Sequence, residues 1–244
     1  MTVPAVESAA SGAVPKTDLR TRLAEILGAD RWVNGTHPVV RPASVEELAT
    51  LLASYPGRVL PVGSGSNFPP DYTPPNEALT LLTGSLRRYN ELDASDQVLR
   101  VSAGWSTVEV NAGLAKTGYA VPALARFHRG TVGGRLAAVP SLTRSADADG
   151  WVHYLLGLTL VLPGGDLLTL GGRCIKDVAG YDLRHLFTGS RGAAGFIVEA
   201  IFRCIPIELM PGQPSAESPP LSPGNYDLVW RRLFDPRERM QTGA

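Results

Sequence analysis

The chain has 244 residues, enough for one large domain or two small ones with a buried core. Its 44% hydrophobic and 19% charged content is that of a globular protein. Lys plus Arg and Asp plus Glu both number 23, so the net charge is zero. That excludes nucleic acid or an anionic membrane as the main partner, because both demand a basic surface. Two cysteines, Cys174 and Cys204, make neither a disulfide framework nor an iron–sulfur site. They read as reduced thiols in a cytoplasmic protein. The start, MTVPAVESAASGAVPK, has no apolar stretch of its own and carries Glu7, so no signal peptide is expected. No membrane span is expected either. Glycine (26) and proline (20) are both abundant and concentrate in turns, which reads as a loop-rich fold mixing helix and strand.

In chain order, residues 1–16 read as a tail of small residues. Thr17 is placed to cap a helix carrying Leu19, Leu23, Ile26 and Leu27. "HPVVRP" is a short strand closed by Pro42. "SVEELATLLASY" opens with Ser44 and Glu47, a capping box, and carries Leu48, Leu51 and Leu52 on one face. "RVLPVGSGSNF" is a buried strand running into a glycine turn, so this is strand–helix–strand with parallel character. "EALTLLT" and "QVLRVSAG" are further strands, separated by "RYNELDASD". Ser106 and Glu109 form a second capping box before the helix "VEVNAGLAKTG". "GTVGGRLAAVP" is a glycine turn leading into a helix of small residues. "HYLLGLTLVLPGGDLLTLGG" is a hairpin turning at Gly164 and Gly165. "YDLRHLF" is a short helix and "GFIVEAIFRCI" a strand of mixed apolar character. From Pro206 the chain turns Pro- and Ser-rich, a strap or linker over 207–225. A last amphipathic stretch, "YDLVWRRLF", follows and ends at Asp235 and Pro236.

Three glycine-rich stretches carry the candidate chemistry. "PVGSGSN" (Pro61, Val62, Gly63, Ser64, Gly65, Ser66, Asn67) follows a strand, and its amides and hydroxyls suit a pyrophosphate. It lacks both the dinucleotide GxGxxG pattern and the lysine of a Walker loop, so an ordinary tight turn is the competing reading. "HRGTVGGRLAAVP" joins Gly133 and Gly134 to alanines. A flat ring could lie on that backbone, or the helix could pack closely on a sheet. In "GGRCIKDVAGYDLRHLFTGSRGAAGFI", Lys176, Asp177, Tyr181 and Asp182 read as caps and surface pairs. His37, His128, His153 and His185 are scattered without i, i+4 spacing, so no metal site is expected. No Gly-x-Ser-x-Gly elbow occurs, and no catalytic residue can be assigned.

The order of these stretches gives the chain a resemblance. Segments "VVRPASVEELATLL", "VLPVGSGSN", "LRVSAGWSTVEVNAGLAKTGYAVP" and "GTVGGRLAA" occur in sequence. "LGLTLVLPGGDLLTLGGRCIKDVAGYDLRHLFTGSRGAAGFIVEAIFR" follows them. Together they resemble the FAD-binding domain of the vanillyl-alcohol oxidase/p-cresol methylhydroxylase (PCMH-type) flavoproteins, and within it the FAD-binding subunits of glycolate oxidases. The resemblance spans about residues 38–206. It implies an α+β fold of two lobes, about 38–103 and 104–206, with FAD between them. Residues 1–37 would precede this domain as tail and helix, and residues 226–244 would follow the strap as helix and tail.

By the same resemblance, the loop from Gly63 to Asn67 would cradle the pyrophosphate, with Pro61 and Val62 leading into it. Pro122, Thr131, Val132, Gly133 and Gly134 would line the flavin side. Gly195 and Ile197 would contact the flavin or its ribityl chain. Ser141 is carried over from "PSLTRSADADG", where the family often has a Ser-Gly-Pro turn. Other departures are Asp177 where the family has Asn, and Gly192-Ala193-Ala194-Gly195 where it often has Gly-Thr-Leu-Gly. The phosphate loop has no histidine, which implies non-covalent FAD. The space between Pro206 and Tyr226 is too short for the family's substrate-binding cap domain. The expected function is therefore the FAD-binding subunit of a glycolate-oxidase-like 2-hydroxy-acid oxidoreductase, with a partner subunit or a second copy covering the flavin. The alternative is a non-catalytic flavin-fold scaffold subunit that stabilises a partner, with or without FAD.

Overall fold

The computed structural model describes residues 38–68, 78–138, 150–174, 182–210 and 239–240. The helix expected after Thr17, the tail, most of the strap, the 226–234 stretch and Ser141 lie outside the described residues.

The first unit is built on strand β1 (Val39–Val40), helix α1 (Val45–Ser54), strand β2 (Arg58–Val62) and strand β3 (Ala78–Leu82). Leu48, Leu51 and Leu52 recur at helical spacing and are all fully buried, which seats α1 on the sheet. Ser44 caps α1 by accepting from the Glu47 amide at 3.1 Å. The return bond differs from the expected capping box: Glu47 accepts from the amide of Ala43, one residue earlier, at 2.7 Å. The sheet order is β1–β3–β2 with both pairings parallel. The expected parallel character is therefore present, with β3 inserted between the two strands that flank α1.

A second sheet starts with β4 (Asn90–Asp93) and β5 (Val98–Ser102). β4 lies in the stretch read only as a connection. Its sequence NELD has no strand pattern, and it exists as an edge strand because β5 supplies an antiparallel partner. Helix α2 (Thr107–Lys116) follows, then β6 (Tyr119–Ala120), α3 (Pro122–Ala125), α4 (Val132–Ala138) and α5 (Trp151–Tyr154). α2 carries the full reciprocal capping box: Ser106 accepts from the Glu109 amide at 3.1 Å and Glu109 from the Ser106 amide at 3.2 Å. β7 (Leu155–Val161) and β8 (Leu167–Gly171) form the expected hairpin, with Gly165 at φ +94 in its turn. α6 (Arg184–Phe187), β9 (Phe196–Arg203) and β10 (Ile205–Pro206) follow, and a 3-10 turn over Ile207–Leu209 comes after them. The order of the larger sheet is β4–β5–β9–β7–β8, with each pairing antiparallel. β4 and β5 thus join the second sheet, although they precede residue 104.

β9 joins the two halves. Its pairing with β7 slips between Thr159↔Glu199 and Leu160↔Ile197, a β-bulge that leaves Val198 as the extra residue. An extra residue reverses the in–out alternation. Phe196 and Val198 therefore reach the core of the first unit, with Leu48, Leu79 and Leu81. Ile197, Ala200 and Phe202 face the core of the second, with Val132 and Leu136. Met240 also enters the first core and bridges Val59 in parallel. Among the described residues, no helix is long and apolar enough to cross a membrane.

Candidate functional site

β2 ends at Val62, and the chain turns through Gly63, Ser64, Gly65, Ser66 and Asn67 directly against the start of α4. Asn67 Nδ2 donates to the Gly134 carbonyl at 3.0 Å, linking positions 67 residues apart. Thr131 sits under both: its Oγ1 accepts from the Gly134 amide at 3.1 Å. A Cβ on Gly63 would lie 2.2 Å from that oxygen, so the position requires glycine. Gly65 has φ +75, and a Cβ there would meet nothing within 4 Å. The amides of Ser64, Gly65 and Ser66 donate to no other described residue. The loop therefore offers a row of free N–H groups beside open space, which is what an anion cradle needs.

α4 lies close on the larger sheet. The Gly133 amide donates to the Ala103 carbonyl at 2.9 Å, and a Cβ on Gly133 would stand 2.6 Å from the Ala103 Cβ. Gly133 therefore lets the helix approach the sheet, the packing alternative left open by the sequence, whereas half-buried Gly134 faces the loop through Thr131 and Asn67. The last carbonyls of α4 are met by the 189–195 turn. Gly189 N–H donates to Leu136 O at 2.8 Å and Arg191 N–H to Ala137 O at 2.7 Å. Arg191 has φ 53 and Gly192 φ 82. A Cβ on Gly192 would meet Pro61 Cγ at 2.3 Å, so this turn is wedged against the end of β2.

These elements line an open cleft. Pro61, Val62 and Gly63 line it from the β2 end, with Thr83 beside them. Gly133, Gly134 and Ala137 line it from α4. Arg191, Gly192, Gly195, Phe196 and Ile197 line it from the turn and the start of β9. Gly195 has φ +151, and a Cβ there would strike the Val161 carbonyl at 2.8 Å. Of the residues expected from sequence, Pro61, Val62, Gly63, Gly133, Gly134, Gly195 and Ile197 meet at this cleft. Ser64, Gly65, Ser66 and Asn67 form the adjoining loop, and Thr131 and Val132 support it. Pro122 does not line the cleft; it is buried at the first position of α3. Thr83, Ala137, Arg191 and Gly192 were not expected from the sequence, and Phe196 lies within the 195–197 backbone expected to contact the flavin. The positive φ of a non-glycine residue at Arg191 has no signature in the chain itself.

The other polar features are structural. Asp182 pairs with Arg184 at 2.6 Å and with His185 at 3.0 Å, the cap-and-pair role expected of it, while Lys176, Asp177 and Tyr181 lie outside the described residues. The hydrogen bonds from Arg184 hold the Asp182 carboxyl below its ordinary range. Burial pushes the His185 imidazole down, partly opposed by Asp182. Cys174 is exposed and Cys204 buried; burial raises the Cys204 thiol to about 12, which leaves it unreactive. No cluster of three or more metal-ligating side chains occurs among the described residues.

The family described as "FAD binding domain" matches residues 36–171, more than half of the chain and including both the 63–67 loop and α4. The chain belongs to that family. It is 30% identical over 172 residues to the glycolate oxidase subunit GlcD of Bacillus subtilis, covering 69% of this chain and 37% of that protein. It is 29% identical over 171 residues to a D-lactate dehydrogenase of Archaeoglobus fulgidus, covering 69% of this chain and 38% of that one. The chain thus spans under two fifths of the length of these relatives. Among solved structures, an alkyldihydroxyacetonephosphate synthase superposes with a TM-score of 0.62 at 20% identity, over 84% of this chain and 44% of that one. That likeness concerns the fold, which is the α+β PCMH-type FAD-binding fold.

FAD is the cofactor of this FAD binding domain. The cleft fits such a group on its own terms. Gly63 and Gly134 are half-buried at the cleft, where bare backbone lets a flat ring approach, while buried Gly133, Gly192 and Gly195 let α4, the 189–195 turn and β9 close around it. The free amides at 64–66 suit a diphosphate. Most of the described lining is apolar or backbone, with few polar groups, as in cofactor sites generally.

Proposed function

We propose that this chain is the FAD-binding subunit of a glycolate-oxidase-like oxidoreductase acting on 2-hydroxy acids, with the flavin held non-covalently. The observation that carries the reading is the meeting of the 63–67 loop, α4 and the 189–195 turn at one cleft that is mostly backbone and apolar. Bound FAD would supply hydride acceptance, chemistry that side chains lack. The residues of the chain would bind and orient it. Ser64, Gly65 and Ser66 would donate amides to the diphosphate. Gly134, Gly195 and Ile197 would meet the flavin or its ribityl chain with backbone. Thr131 and Asn67 would hold the loop to α4 so that these groups keep their spacing. Pro122, buried in α3, would act only through packing.

The similarity to the GlcD subunit and to a D-lactate dehydrogenase supports the 2-hydroxy-acid class. The cleft is open, and holding a substrate at near-attack distance is worth about 7–11 kcal/mol of the barrier. A partner subunit or second copy would supply that positioning, in a cytoplasmic complex. No histidine stands in the 63–67 loop to form a covalent bond. Purified protein should be yellow, and acid precipitation should release all the colour into the supernatant. Anaerobic glycolate or D-lactate should bleach the flavin band slowly with the isolated chain. A colourless protein that does not take up added FAD would refute the reading and favour the scaffold subunit. Colour retained in the pellet would refute non-covalent binding.

A further inference from the structure

We infer that Arg191 supplies the positive charge that holds the diphosphate of the bound dinucleotide. This inference rests on the FAD-binding reading above and deepens it. Among the described residues lining the cleft, Arg191 is the one ionisable group; the other described ones are glycine, apolar residues and Thr83. The 63–67 loop likewise contains no cationic side chain. A diphosphate carries two negative charges, and amides alone leave that charge unmatched. Arg191 is also free to act. Arg87, Arg100, Arg173 and Arg184 each pair with a carboxylate, at 3.1, 2.8, 2.6 and 2.6 Å. The guanidinium of Arg191 makes no hydrogen bond or ion pair with a described residue.

Its backbone points the same way. At φ 53 it occupies the left-handed region that a long side chain adopts only against strain, and glycine would sit there without cost. Its amide anchors it to Ala137 O, and its neighbour Gly192 is wedged on Pro61. The turn therefore stands next to the strand end that leads into the 63–67 loop. A planar guanidinium matches phosphate oxygens with two parallel bonds, which lysine cannot reproduce.

The test titrates the flavin-free full chain with FAD, followed by quenching of flavin fluorescence, at several NaCl concentrations. Wild type, Arg191→Gln, Arg191→Lys and Arg191→Gly are compared. Arg191→Gln should weaken FAD binding about 10- to 100-fold at low salt. It should also flatten the dependence of affinity on salt, because one fewer charge is screened. Arg191→Lys should recover part of both. Arg191→Gly guards against a folding artefact: it relieves the backbone strain, so its apo melting temperature should equal or exceed wild type while FAD binds as weakly as to the Gln variant. Unchanged affinity in the Gln variant overturns the inference. So does weaker binding with an unchanged salt dependence, which would mean contact with an uncharged part of the cofactor. Failure of the wild-type chain to bind FAD would instead defeat the proposed function.

Discussion

Two adjacent glycines on α4 should respond in opposite ways to the same methyl group. Gly133→Ala would place a Cβ 2.6 Å from the Ala103 Cβ and 3.3 Å from the Ala103 carbonyl oxygen. Ala103 is itself held by the hydrogen bond its amide donates to Val198 O, so neither side yields easily. Overpacking of this kind costs about 1–3 kcal/mol. Alanine in a helix interior returns about 1 kcal/mol over glycine. Because the contact is with Cβ and backbone, the upper part of the range applies, and the net loss should be about 1–2 kcal/mol. For a chain of this size each kcal/mol lowers the melting temperature by about 2–4 °C. Gly134→Ala would instead meet Thr131 Oγ1 at 3.0 Å and Asn67 Nδ2 at 3.9 Å, both side-chain atoms. Its apo stability should be unchanged or slightly raised, while FAD affinity falls. Denaturant melts of the apo proteins read the first effect and FAD titration the second. Adding Ala103→Gly should restore much of the stability lost by Gly133→Ala, a coupling measurable by double-mutant cycle. Equal stability of Gly133→Ala and wild type would refute the claim that close helix–sheet approach requires this glycine.

Two further outcomes follow from buried polar groups. Buried Arg239 donates to the carbonyls of Pro163 and Leu52, each at 2.8 Å, and also to those of Tyr55 and Gly57. Arg239→Ala leaves these acceptors without donors and should cost about 3 kcal/mol in a denaturant melt, with Arg239→Lys recovering only part. His185 has a folded pKa below its ordinary value of 6.5, chiefly through burial. The folded state therefore takes up its proton less readily, so stability is full above that value and is lost as pH falls through it. Asp182 is also held low, so its contribution is lost only as pH falls below its ordinary 3.8. Melts between pH 7 and 5 should thus show a decline that His185→Gln flattens; an unchanged slope would place the titrating group elsewhere.

Much of this was legible in the chain because it is local. Ser106 and Glu109 are three residues apart, and the box they form depends on nothing else. Leu48, Leu51 and Leu52 state their helix face by spacing, and Gly164 and Gly165 mark a hairpin. The resemblance led to the FAD domain and to most of the cleft, since its glycine stretches occur in a telling order. The rest is set by pairing across the fold. β4 is a strand only because β5 lies beside it. The bulge at Val198 comes from a register slip against β7, and it sends Phe196 and Val198 to one core and Ala200 and Phe202 to the other. The purpose of Gly133 depends on Ala103, thirty positions away. Arg191 reads as one residue of a turn until α4 and β2 close on it. Periodicity and capping act within a few residues and are written in the sequence. Register, close approach and an unpaired charge in a cleft depend on which distant segments meet, and only the tertiary structure decides that.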